Sequence, residues 1–184
     1  MIKSAVTIAL VPQIKTGPWI FWDNLEESMG KAAALGFDGI ELFTASGNAI
    51  GTDVLKKLLG KYTLQLAAVG TGAGKVIHGL TLTDTNNAIR EKAIAFIKEM
   101  MEFGALFGAP AIIGSMQGNA VQGVSHSQSI GLLAEALQVL DQHATSLGVK
   151  LIYEPLNRYE TNLMNTLDDG AAFIASNKFN NIQL

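Results

Sequence analysis

The amino-acid sequence predicts an α/β fold, a parallel sheet with helical crossovers of the (β/α)8 TIM-barrel type, here incomplete. Three observations predict it. Short apolar runs alternate with longer amphipathic ones in the order strand then helix, five times over, and each helix is long enough to carry a parallel crossover. The strand cores are buried-type apolar runs, as a sheet covered on both faces requires. A helix closing on glycine recurs before three of the strands, at Leu35-Gly36-Phe37-Asp38, Phe107-Gly108-Ala109-Pro110 and Leu147-Gly148-Val149-Lys150, which marks a repeated unit.

Taken in order, Ser4–Leu10 reads as the first strand, followed by a loop rich in Gly, Pro and Trp. Trp22–Leu35 has helical spacing and stops at Gly36. Gly39–Phe43 is a second strand, Asp53–Lys61 a short helix and Leu64–Val69 a third strand. Asp84–Phe107 is a long helix with Asp84 as its cap, and Ala111–Ile113 is the fourth strand. His126–Leu147, Lys150–Glu154 and Asn165–Ser176 follow as helix, fifth strand and helix, and Ile182–Leu184 begins a sixth strand. A doubly wound sheet would share this order. No G-x-G-x-x-G follows the first strand, however, where Ile8-Ala9-Leu10-Val11-Pro12 opens no phosphate-binding turn. Polar and Gly-rich segments sit after the strands, at the end where barrel enzymes keep their sites. The barrel is the expectation.

A complete barrel takes about 250 residues, and this chain of 184 stops as the sixth strand begins. Residues 1–184 are therefore expected to form the N-terminal two-thirds of a single TIM-barrel domain, either as a truncated piece of a longer product or with a partner completing the ring.

Composition narrows the classes of function. Hydrophobic residues make up 48% and charged residues 16%, which describes a globular core and not a disordered chain. A net charge of −3 with 13 scattered Lys and Arg offers no basic groove for nucleic acid. No Cys is present, so disulfide and thiolate chemistry are excluded. The start lacks the apolar region of a signal peptide, and no stretch approaches the ~20 apolar residues of a membrane span. A soluble, cytoplasmic protein is expected, with room for a homo-oligomer.

The residues with most chemical content lie at the end of the fifth predicted strand. Ile152, Glu154 and Leu156 alternate onto one face. A carboxylate there, after an apolar run, is costly unless it binds a metal or is paired. Asn157, Arg158 and Glu160 follow on a loop. A structural Glu154–Arg158 ion pair explains the pattern equally well.

At this point the sequence resembles a known family. Leu151-Ile152-Tyr153-Glu154-Pro155-Leu156-Asn157-Arg158-Tyr159-Glu160-Thr161-Asn162, with Asn165-Thr166, is similar to the xylose-isomerase-like sugar isomerase/epimerase superfamily, nearest its ketose 3-epimerase and hydroxypyruvate isomerase branch. The resemblance extends to Gly36-Phe37-Asp38-Gly39-Ile40-Glu41-Leu42 and to Gly108–Gly114. It implies that Glu154 is a metal ligand and acid/base group and that Glu160 contacts the sugar near its carbonyl. It also implies that the remaining ligands, an Asp, a His and a Glu on later strands, lie beyond Leu184. The implied chemistry moves a proton beside a carbonyl through an enediolate. A divalent cation (Mn2+, Mg2+, Co2+ or Zn2+) would stabilise that enediolate.

Further candidates are weighed against plainer roles. Glu41 ends the second strand and either faces substrate or is paired structurally. His78 lies in the Gly-rich loop Gly70–Gly79, which reads as a flexible lid, or as a phosphate cradle with Lys75 adding charge. Among Ser115, Met116 and Gln117, the last is the best polar contact for a substrate. Trp19, Phe21 and Trp22 read as packing or interface residues, or as the wall of a sugar pocket. His126 and His143 read as ordinary helix residues. The sequence thus points to a metal-dependent isomerase or epimerase acting on a small sugar or hydroxy-ketone. An apurinic-site endonuclease of the same superfamily, a dehydratase or lyase of the same fold, and a non-catalytic assembly module are the alternatives.

Overall fold

The computed structural model describes residues 2–14, 17, 19–22 and 24–184. Lys15, Thr16 and Pro18 of the expected first loop, and Asp23 of the expected first helix, lie outside the described residues. The strands are β1 (Ala5–Ala9), β2 (Phe21–Trp22), β3 (Gly39–Phe43), β4 (Gln65–Gly70), β5 (Ala111–Ile113), β6 (Leu151–Tyr153) and β7 (Ile182–Gln183). The helices are α1 (Leu25–Ala34), α2 (Thr52–Tyr62), α3 (Ala73–His78), α4 (Asn87–Ala105), α5 (His126–Leu147) and α6 (Leu167–Asn177), with a 3-10 turn at Ser115–Gln117.

The strands form one parallel sheet in the order β2-β1-β3-β4-β5-β6-β7. From β1 onward the spatial order follows the chain order without a reversal. A doubly wound sheet reverses direction from its starting strand, so that alternative is excluded and the winding is of the barrel kind. Right-handed crossovers then place the helices on one face. The core agrees: Ile8, Ile40, Leu42 and Val69 pack with Met29, Leu55 and Met100 in one cluster. Ala111, Ile113, Leu151 and Tyr153 pack with Ile97, Leu137 and Leu140 in another. Helix α4 contributes to both and ties the two halves together. The sheet is not closed, its edges being β2 and β7 among the described residues.

The other face, which becomes the interior in a barrel, is not an apolar layer. Ala5, Ala67 and Gln183 are exposed, and Thr7, Glu41 and Ile152 are half-buried. The expectation of strands covered on both faces therefore holds only on the helix side. The apolar runs reflect residues alternating between a packed outer face and a more open inner face, where Ala9 and Phe43 join a smaller apolar cluster.

Local chemistry explains where elements begin and end. Asn24 caps α1 by accepting the Glu27 N–H, so the helix starts at Leu25 and Trp22 belongs instead to β2. β2 pairs in parallel with β1, Phe21 opposite Ile8 and Trp22 opposite Ala9. Asn86, not Asp84, caps α4 through the Ala88 N–H. Asp84 accepts the Asn86 N–H one turn earlier. Ser125 and Gln128 close a reciprocal capping box on α5. Gly36, Gly108 and Gly148 have φ of 84°, 68° and 66°, the left-handed conformation that ends a helix without a Cβ penalty.

Helix α3 is the main element the sequence reading does not anticipate. The segment Gly70–Gly79 is neither an open lid nor an anion cradle: residues 70–74 are buried. A Cβ at Gly74 would lie 2.8 Å from Met116 and Phe96, so its glycine permits close packing. The N–H groups of Gly74, Lys75 and Val76 donate to Thr71 and Gly72 carbonyls, which leaves them unavailable to a phosphate.

Candidate functional site

Strand β6 ends with its outer-face side chain, Tyr153, fully buried, and Glu154 emerges on the opposite face with Ile152. Its N–H donates to the Ile113 carbonyl at 3.0 Å. The carboxylate rests above Gly114, where a Cβ would come within 2.8 Å of Oε2. The residue is exposed to the open inner face. Even so, solvent loss around the carboxylate, followed by the Glu160 charge, raises its pKa above the usual value.

Glu41, on β3, stands three strands away on the same face, with β4 and β5 between. It accepts a hydrogen bond from the Thr7 hydroxyl at 3.3 Å. One carboxylate oxygen lies 3.1 Å from the Cβ position that Gly70 leaves empty. A register slip after Ile40 opposite Leu66 sets Glu41 opposite Ala68, a bulge of the kind that re-aims strands beside functional sites. Burial raises the Glu41 pKa, the Thr7 bond opposes that rise, and the negative charge of Glu154 adds to it. The Glu154 charge therefore reaches Glu41 across the inner face.

Glu160 sits on the loop beyond β6. Asn157 donates from Nδ2 to its carboxylate and accepts the Tyr159 N–H on Oδ1 at 2.9 Å. Its carbonyl accepts the Glu160 and Thr161 N–H groups at 3.0 and 3.2 Å. Asn157 thus folds the loop and aims Glu160 together.

The structure reassigns three of the expected contacts. Arg158 lies over the Tyr159 ring at 5.1 Å and donates to its hydroxyl at 3.1 Å. Among the described residues no ion pair joins it to Glu154, so the structural pair is not formed. Gln117 is fully buried and both its amide hydrogens are taken by carbonyl oxygens, of Gly114 and Glu154. It therefore has no donor left for a substrate. His78 is exposed at the end of α3, edge-on to Phe96 at 6.2 Å, and is joined to neither Glu154 nor Glu160. Trp19 packs on Phe43 at 5.4 Å, within a cluster that includes Trp22, as the packing reading expects. His126 faces the Leu163 carbonyl and His143 faces Glu102.

A set of polar residues holds the loops together, among them Thr161, Asn162 and Asn165, which the sequence motif contains without disclosing their partners. Asn119 accepts the Asn162 N–H at 3.0 Å, and Asn162 accepts the Ala120 N–H at 2.8 Å and donates to its carbonyl. Thr161 donates to the Gly118 carbonyl, and Thr83 to those of Gln117 and Asn119. Asn165 donates to the Leu156 and Thr161 carbonyls. The loops after α3, β5 and β6 are thereby joined above the sheet. Two surface clefts, of about 410 and 510 Å³, lie elsewhere, lined by residues such as Phe107 and Arg90, and neither contains Glu41, Glu154 or Glu160. Among the described residues no three His, Cys, Asp or Glu side chains converge to hold a metal ion. No described helix is long and apolar enough to cross a membrane.

A singly wound parallel sheet with acidic side chains at its inner carboxyl edge defines a protein of the α/β-barrel class. The chain belongs to the xylose isomerase-like TIM barrel family, whose model matches residues 29–184. It is 27% identical over 151 residues to an L-ribulose 3-epimerase of Methylomonas sp., covering 80% of this chain and 51% of the relative. It is 29% identical over 175 residues to a probable ketose 3-epimerase of Synechocystis sp., covering 86% and 57%. The chain spans little more than half the length of these relatives. Among solved structures, an L-ribulose 3-epimerase superposes with a TM-score of 0.76 at 20% identity, over 99% of this chain and 59% of that one. A Methylomonas sp. D-allulose 3-epimerase in complex with D-allulose gives 0.70 at 26% identity, over 86% and 55%.

Proposed function

We propose that the protein is a divalent-metal-dependent sugar epimerase or isomerase that moves a proton at a carbon beside the carbonyl of a keto sugar. The observation that carries this reading is Glu154, a carboxylate seated over Gly114 on the inner face, with its proton affinity raised. The relatives named as ketose 3-epimerases supply the substrate class.

In this reading Glu154 is one of two acid/base groups: it moves the proton on its own face of the carbon while the second serves the opposite face, and its raised pKa brings it nearer the working pH of a general acid–base. Glu160, held by Asn157, accepts hydrogen bonds from sugar hydroxyls close to the reacting carbons. Glu41 bounds the far side of the same face, where its carboxyl orients a hydroxyl. A divalent cation, if held there, would supply charge stabilisation to an enediolate oxygen. Glu154 is the side chain of this chain that would hold it.

The test uses the whole protein with D-fructose, D-allulose and related keto sugars in deuterated water. Wild type exchanges the proton beside the carbonyl and interconverts the sugars. Glu154→Gln lowers turnover by about 10²–10⁴-fold, the usual worth of a general base, and a chelator abolishes it. Full activity after both treatments overturns the proposal. The net charge of −3 disfavours the endonuclease alternative, and a nicking assay on abasic DNA tests it directly.

A further inference from the structure

At the carboxyl ends of β5 and β6 the sheet runs out of backbone donors. Ile113 pairs with Tyr153, and the Glu154 N–H to the Ile113 carbonyl is the next rung. In a parallel ladder the Glu154 carbonyl would then accept an N–H from position 115. The chain instead leaves the sheet at Gly114, with φ −104° and ψ −100°, and tightens into the 3-10 turn. The Gln117 amide takes that place. Nε2 donates one hydrogen to the Glu154 carbonyl at 3.1 Å and the other to the Gly114 carbonyl at 3.0 Å. Oε1 accepts the Tyr153 hydroxyl at 2.5 Å.

Two carbonyls on one side and a hydroxyl on the other leave a single sensible orientation for this amide. Gln117 is fully buried, as is Tyr153. Burying an amide and a phenol between strand ends carries a desolvation cost that an apolar pair of similar volume would avoid. The bonds fall on the residue before the catalytic carboxylate, on that residue's own carbonyl, and on the glycine that makes room for its side chain.

We infer that Gln117 is a positioning residue for Glu154, locked in turn by Tyr153: it replaces the missing rung of the ladder and so sets the point from which the Glu154 carboxylate reaches over Gly114. The inference rests on the reading of Glu154 as the acid–base group. It makes Gln117 act through Glu154, with no contact to the sugar.

The experiment compares Gln117→Met, Tyr153→Phe and a packing control, Leu140→Ala, in the whole protein. Gln117→Met fills the same space with no hydrogen bond. It is expected to lower kcat by about 10–100-fold while leaving KM within about threefold, the signature of a displaced catalytic group. Tyr153→Phe, which leaves Gln117 bonded to the Glu154 carbonyl, gives a smaller loss with the same split. Leu140→Ala lowers the melting midpoint and leaves kcat per folded molecule unchanged. Wild-type kcat in folded Gln117→Met overturns the inference, as does a loss that merely tracks melting across all three variants. Should Gln117→Met fail to fold, Tyr153→Phe decides, and wild-type kcat in that variant overturns the inference. Absence of keto-sugar turnover in the wild type overturns the functional reading and the inference with it. Wild-type turnover with unaffected variants overturns the inference alone.

Discussion

Asn119 and Asn162 hold each other's loops: the Asn119 side-chain oxygen accepts the Asn162 N–H, and the Asn162 side chain both accepts from and donates to the backbone of Ala120. The two residues are 43 apart in the chain. Side-chain amides here do what a pair of strands would do, with donor and acceptor from the same group.

Asn162→Ala removes two of these bonds at an exposed position. The expected loss is about 1–2 kcal/mol at roughly 1 kcal/mol per bond. A double-mutant cycle with Asn119→Ala should show coupling on the order of 0.5 kcal/mol or more, as for residues of one network. Strictly additive losses in urea denaturation would show that the loops are held independently.

Gly114→Ala separates stability from function. The added Cβ meets the Glu154 carboxylate at 2.8 Å, and that group is the free end of a flexible side chain on an open face. It swings aside at little cost to folding. The melting midpoint should stay within a few degrees while turnover falls by about 10²-fold, the scale of a misplaced catalytic group. Retained turnover would mean that the carboxylate does not work from this position.

The inner-face carboxylates give stability a pH dependence of definite sign. Glu41 has a raised pKa in the folded protein, so the folded state holds its proton more tightly than the unfolded chain does. Its ionisation therefore opposes folding. That penalty is absent below the unfolded value near 4.5 and grows as pH rises through the folded value. Glu41→Gln should be more stable than wild type at pH 7, with the advantage vanishing below about pH 4.5. Denaturation curves of both at pH 4 and pH 7 provide the comparison, and an advantage that is equal at both would contradict the assignment.

Asp141 carries a different burden. It is buried on α5 and accepts the N–H groups of Asn180 and Asn181 at 3.2 and 2.7 Å, fixing the approach to β7. Asp141→Ala leaves two donors without a partner. It should cost about 2–4 kcal/mol, from roughly 1.5–3 kcal/mol per charge-assisted bond less partial rehydration. Chemical denaturation measures it, and a change under 1 kcal/mol would show that β7 docks by its apolar contacts.

How far the sequence discloses this molecule depends on the range of the signal. Gly39–Phe43, Ala111–Ile113 and His126–Leu147 are located to the residue, because apolar period and terminal glycines are local features. Glu154 is legible too, since a carboxylate ending an apolar strand is conspicuous in one dimension. Gln117 is not: the bond that occupies it reaches a carbonyl 37 residues away, and a polar residue after a strand looks like a ligand contact until its partners are known. Helix α3 is hidden for another reason. Four glycines among residues 70–79 argue against a helix by propensity, and only tertiary contacts show why three are there: Gly70 and Gly72 make room for Phe43, and Gly74 for Met116 and Phe96.

The strand order has an electrostatic corollary. Glu41 and Glu154 share the inner face of the open sheet, and exposure of that face to solvent screens the charge that Glu154 lays on Glu41. Whatever encloses that space lowers its dielectric and sharpens the repulsion. On the proposed reading, enclosure would favour a positive charge or a polar ligand beside the two carboxylates.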